Sequence, residues 1–134
     1  MRLSARAVHG LKALAVLARA GGEGLTLAAL AGHTGSPAAY LAKLVAPLKS
    51  AGLVSAARGY RGGVSLALPA SRIALARVLE VLEGPLVELD PAGGVLDPAI
   101  EVLRSGLEGA MRSWVAGVTL EDLASRGGAW DWSI

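Results

Sequence analysis

A mainly α fold of the α+β class, carrying one small two-stranded hairpin and ending in a long helix, is what this 134-residue sequence predicts. Three observations lead there. Apolar residues make up 53% of the chain but are almost all Ala, Leu and Val with no Phe, a composition that favours helix. They recur at steps of three and four along most of the chain and switch to a step of two only across residues 53–68. Gly and Pro punctuate those segments at short intervals.

The first segment repeats Val8, Leu11, Leu14, Ala15 and Ala18, so residues 4–20 form a helix with one apolar face, stopped by Gly21-Gly22. Its basic start and short apolar stretch imitate a signal peptide, but the run is shorter than an export signal needs and fits an amphipathic helix better. Thr26 caps a short helix over 27–32, with Leu27, Leu30 and Ala31 inward, and His33-Thr34-Gly35 makes the turn. Ser36 before Pro37 is a strong helix start, because serine accepts an orphan N–H and proline suits the first helical position. The third helix, 37–50, buries Leu41, Leu44, Val45 and Leu48 and stops at Gly52. Two short helices joined by a tight turn make a helix-turn-helix.

Beyond Gly52, Leu53-Val54 begins one strand, and Val64, Leu66 and Leu68 alternate along its partner. Between them lies Arg58-Gly59-Tyr60-Arg61-Gly62-Gly63, a basic tip whose glycines permit close backbone approach to a sugar-phosphate chain. It lacks the Lys-Ser/Thr of a P-loop and joins two strands, which argues against a nucleotide site. A hairpin placed directly after a helix-turn-helix reads as a wing.

Net charge of +2 conceals a division. Residues 1–77 hold ten Lys and Arg against one acid, Glu23, a balance of +9, whereas 78–134 hold three against ten, a balance of −7. The first part suits a polyanion; the second does not. Cysteine is absent, which excludes disulfides and thiolate-held zinc or iron-sulfur sites, and two histidines cannot complete a four-ligand site. No Ser-His-Asp set or metal spacing appears, so no catalytic residue, metal site or cofactor is assigned. His9 and His33 receive no role. No run reaches the roughly 18 apolar residues of a membrane span, and a cytoplasmic chain is expected.

A helix over 73–82 closes at Gly84-Pro85, and 86–95 reads as a loop. Asp97-Pro98 opens a long helix along which Ile100, Leu103, Leu107, Met111, Trp114 and Val118 form a near-heptad seam. A small domain leaves such a stripe little core, so its expected partner is the same helix of a second copy, with packing on its own domain as the alternative. Gly106 and Gly109 each cost this helix about 1 kcal/mol against alanine, so tertiary or dimer contacts must hold it. Thr119-Leu120-Glu121-Asp122 begins a last short helix, followed by Trp130 and Trp132. The expected division is a DNA-binding domain, 1–84, and a loop, dimerisation helix and tail, 85–134.

The opening Met1-Arg2-Leu3-Ser4, Ser36 with Tyr40-Leu41, Ala51-Gly52-Leu53-Val54, Arg58-Gly59 with Gly62-Gly63, Leu66-Ala67, Ile73, Val78-Leu79, Glu83-Gly84, Thr119-Leu120 and Leu123-Ala124 stand in characteristic order. Together they resemble the bacterial winged-helix transcription regulators of the IscR, NsrR and CymR type, the Rrf-two family, across nearly the whole chain. The resemblance implies a homodimer that binds DNA through a winged helix-turn-helix, dimerises through the long helix, and often senses through a cluster held by three cysteines near that helix's start. Residues 88–97 carry no cysteine, so a cluster-free member is implied. Where the family often has Tyr-Leu-Glu-Gln, this chain has Tyr40-Leu41-Ala42-Lys43, without the carboxylate that would accept from cytosine N4. Pro47 inside the same helix should bend its last turn.

The resulting expectation is a sequence-specific regulator on a pseudo-palindromic operator, a repressor, with activation left open because that depends on operator position. Ser36, Pro37, Ala38, Ala39, Tyr40 and Lys43 would enter the major groove, Arg58, Gly59, Tyr60 and Arg61 would meet backbone or minor groove, and Arg2 and Ser4 would touch phosphate. A winged helix that binds another protein is the alternative, and an effector or partner protein stays open.

Overall fold

The computed structural model describes residues 2–57 and 63–129. Helices α1 (Ala5–Arg19), α2 (Leu27–Thr34) and α3 (Ala38–Ser50) precede strands β1 (Val54–Ala57) and β2 (Gly63–Leu66). Helices α4 (Leu75–Leu82), α5 (Pro98–Ala116) and α6 (Leu120–Ala129) follow. This is the winged-helix arrangement with a long late helix that the sequence predicts.

Ser4 starts α1 by accepting the Ala7 amide on Oγ at 3.1 Å, while its own amide donates to Glu83 Oε2 at 2.8 Å. The buried face runs through Ala7, Gly10, Ala13, Leu14 and Leu17. Val8, expected inward, is exposed. The face is centred on small residues because α4 comes close: Leu82 packs where a side chain at Gly10 would stand. Helix α2 runs past its expected end to Thr34 and closes at Gly35, whose φ of +70° suits glycine.

The start of α3 differs from expectation. Pro37 occupies the cap position with no side-chain cap bond, and Ser36, expected to cap, is buried with its hydroxyl turned to His9. From there α3 continues through Pro47 to Ser50. Strands β1 and β2 pair antiparallel with Val54 opposite Leu66 and Ala57 opposite Gly63. Leu25 adds a short third edge that periodicity could not reveal: its amide donates to the Val64 carbonyl at 2.9 Å and its carbonyl accepts from Val64 at 2.8 Å. At Gly63 a Cβ would fall 2.7 Å from the Leu25 carbonyl oxygen, so glycine is required by this approach.

A 3₁₀ turn, Ala70–Arg72, precedes α4, which starts two residues later than expected. The reason is a bridge. Leu75 donates to the Val118 carbonyl at 2.9 Å and Leu120 to the Ile73 carbonyl at 2.8 Å, tying the entry of α4 to the α5–α6 junction. Glu108 of α5 holds the loop after α4, accepting the Leu86 amide at 3.2 Å, the Val87 amide at 2.8 Å and Arg112 Nε at 2.7 Å. Burial opposes its charge, but these donors outweigh that and keep its carboxyl below the usual range. Thr119 and Asp122 cap α6 reciprocally, each amide donating to the other's side chain. The Thr119 amide, and after it the Thr119 hydroxyl, hold the Asp122 carboxyl below its usual range.

Helix α6 returns to α1, where Arg19 Nε donates to the Ala124 carbonyl at 3.2 Å. Leu14, Leu30, Leu41, Ile73, Val78 and Leu120 form the driest part of the resulting core. Of α5, by contrast, only Val115 is buried. Ile100, Leu103 and Trp114 of the expected seam are 45%, 58% and 63% exposed, while Leu107, Met111 and Val118 are half-buried. Met111 and Val118 lean on the chain's own core, so the seam divides between two environments, and Val118 lies just past the helix end. Trp130 and Trp132 lie outside the described residues.

Candidate nucleic-acid interface

Helix α3 turns Leu41, Leu44 and Leu48 to the core and leaves Pro37, Ala38, Ala39, Ala42, Lys43, Ala46 and Lys49 exposed. This outward face is built of methyl groups and ammonium groups. Short side chains let a helix backbone sit deep in a groove, and the lysines supply the charge that phosphates attract. Beside it, Ala42 and Val45 share a shallow cleft with Thr26, Ala56, Ala57, Gly63 and Val64. The root of the hairpin therefore flanks the outward face of α3, with β1 ending at Ala57 and β2 beginning at Gly63. Arg58, Gly59, Tyr60 and Arg61 lie outside the described residues.

The other expected contact residues are not all gathered here. Ser36 is 3% exposed, so its side chain is closed off behind α3. Tyr40 is half-buried at the edge, its ring meeting His9 edge to face at a centroid distance of 5.2 Å. The Ser4 hydroxyl accepts from Ala7 but keeps its own hydrogen to donate. Arg2 borders an apolar groove of about 590 Å³ that Leu11, Leu79, Met111 and Trp114 help to line, and it stands beside Glu83 and Glu88. Sequence reading missed Lys49. Seven residues after Ala42, it falls on the same edge of the helix, and that spacing was the available signal.

The chain matches the Rrf2 family, described as an iron-dependent transcriptional regulator, over residues 3–126. It belongs to that family. The regulator CymR of Bacillus subtilis is 35% identical over 126 residues, spanning 93% of this chain and 91% of the relative. The structure of B. subtilis CymR, titled the global cysteine regulator, superposes with a TM-score of 0.79 at 34% identity, covering 94% of this chain and 98% of that one. IscR of T. potens gives a TM-score of 0.79 at 27% identity over 95% of this chain and 88% of that one. This Rrf2 protein is accordingly a DNA-binding, winged-helix transcriptional regulator of bacterial type.

Its residues do not fit an iron-sulfur cluster. The chain has no cysteine, and the stretch before α5 offers only the carboxylates Glu88, Asp90 and Asp97. Among the described residues no three His, Cys, Asp or Glu side chains gather to hold a metal ion. His9 is engaged with Ser36 and Tyr40, and His33 is exposed near the end of α2.

Proposed function

We propose that this Rrf2 protein is a homodimeric, cluster-free, sequence-specific repressor, acting in the cytoplasm without catalysis on a pseudo-palindromic operator. The observation that carries this reading is the outward face of α3, short-chained and basic, with the hairpin root at its flank. Lys43 reaches base edges or phosphate, Pro37, Ala38 and Ala39 lie against the groove floor, and Tyr40 and Ser4 donate to phosphate. Arg58, Gly59, Tyr60 and Arg61 act on the backbone beside α3, a role that rests on sequence alone. Arg2, exposed before α1, joins the phosphate contacts, and Ser36 acts from behind the helix.

Dimerisation is supported by apolar surface without a partner in one chain. Leu89, Val95, Leu96, Ile100, Val102 and Leu103 are exposed along the approach to α5 and its first turns. A two-fold pair covers this band and sets two α3 helices about one or two helical turns of DNA apart. Residues 1–84 then bind DNA and 85–134 chiefly associate, although α6 also completes the core beside α1. Repression needs only that the dimer hold DNA that polymerase requires.

Selection of bound fragments from random duplexes, followed by sequencing, tests the reading. A two-fold motif is expected. Absence of enrichment at every salt concentration overturns it.

A further inference from the structure

The deepest polar side chain among the described core residues is Ser36, 3% exposed, and it stands directly before the helix read here as the recognition helix. A serine in that place ordinarily gives its oxygen to the first turn of the helix that follows. Here His9 Nδ1 and Ser36 Oγ share a hydrogen bond of 2.5 Å, although 27 positions separate them. The cap of α3 is left to Pro37, which makes no side-chain cap bond. A local bond has thus been exchanged for one that reaches another helix.

Two further contacts show what that exchange does. Tyr40, in the first turn of α3, meets the same imidazole edge to face, its ring inclined at 72°. One side chain of α1 therefore touches both the turn before α3 and the aromatic group at the edge of its outward face. On the other side of the turn, Thr34 Oγ1 accepts the Ser36 amide at 3.2 Å and donates to the Leu30 carbonyl at 2.8 Å. His9 itself has a firm base. The next residue, Gly10, is buried against Leu82, so α1 cannot shift here without displacing α4.

We propose that His9 is a positioning residue for DNA recognition. It holds the start of α3 in place through Ser36 and orients the Tyr40 ring, without touching DNA. Free of this contact, α3 keeps its buried leucines but pivots at its first turn. Base readout depends on placement to a fraction of an ångström, whereas attraction to phosphate does not, so the loss falls on specific binding. The proposal rests on the reading of α3 as the recognition helix.

Its test compares His9→Ala with His9→Gln, which keeps a hydrogen-bonding side chain without the ring, and His9→Phe, which keeps a ring without the bond. Both larger replacements fill the site if alanine proves too disruptive. Affinity for the selected operator is expected to fall about tenfold in His9→Ala, as for a lost buried hydrogen bond, and partly to recover in the other two. Affinity for a random duplex should fall much less, by no more than the single Tyr40–phosphate contact, and the slope of log K against log salt should stay unchanged because no cation is lost. Equal losses on operator and random duplex would overturn the proposal. Hydrogen exchange in the free protein gives a readout independent of DNA: the Tyr40 and Leu41 amides, both bonded to the Pro37 carbonyl, should exchange faster in His9→Ala while 14–17 keep their protection. Unaltered exchange at Tyr40 and Leu41 would overturn it as well. If the parent itself selects no sequence, the DNA reading fails, and the exchange result still decides whether His9 holds α3.

Discussion

Helices α3 and α5 are both amphipathic, yet one chain completes only the first. In α3, Leu41, Leu44 and Leu48 are 1%, 3% and 3% exposed, and the outward face is mostly alanine and lysine. In α5 the apolar residues of the first turns stand in solvent, and burial begins only near Val115. A folded domain hides its large apolar groups when it has core to hide them in. Helix α3 is thus complete within one chain, whereas the first turns of α5 leave apolar surface that the chain itself does not cover.

The largest effect should come from attacking the completed helix. Leu41→Ala removes a fully buried side chain and should cost about 2–5 kcal/mol of stability, read as a lower denaturant midpoint. Leu103→Ala should leave the unfolding free energy of the isolated protomer within roughly 0.5 kcal/mol of the parent. Similar losses at both sites would mean that α5 is not open in the way described. Next in size, Ile100→Glu with Leu103→Glu should convert the dimer to monomer in sedimentation, with the helical circular dichroism retained. A variant that remains dimeric would move the subunit contact away from this band.

Smaller effects sharpen the division of labour. Lys43→Ala should weaken DNA binding and lower the salt slope by about 1, the signature of one phosphate-linked cation, or relax base preference if it reads guanine instead. No change in either quantity would remove Lys43 from the interface. The smallest change concerns acid. Glu108 has a lowered carboxyl pKa in the folded chain, so its contribution is complete above the ordinary value of 4.5 and is lost as pH falls through the lowered one. Thermal stability should therefore drop as pH falls below 4.5 in the parent and drop less in Glu108→Gln. An identical acid response in the two proteins would show that the loop held by Glu108 does not contribute.

What the sequence made legible was local. Thr26, Asp97-Pro98 and Gly35 mark helix ends because caps and positive φ act within one turn, and the change from helical to alternating period places both strands. The expected outward placement of Ala38, Ala39 and Lys43 follows from the same periodicity. Contacts between distant segments left no such trace. The His9–Ser36 bond, the Leu25–Val64 edge and the bridge between Ala74 and Thr119 each join residues that share no periodic relation. Val8 was misplaced because the close α1–α4 approach selects small residues, and a hydropathy pattern gives Ala7 and Gly10 too little weight. Ser36 was misread for a related reason: its type announces a cap, but only the fold reveals a competing partner.

The bond from Arg19 to Ala124 crosses 105 residues of chain, and that distance has a temporal meaning. During synthesis α1 is made long before α6, the helix that covers one of its sides. At ordinary elongation rates the gap is on the order of ten seconds. Through that interval the nascent α1 lacks one wall of its core, and closure of that wall waits for α6 to emerge. A fragment cut before α6 would be held at this stage, with α3 already made and one side of α1 left uncovered.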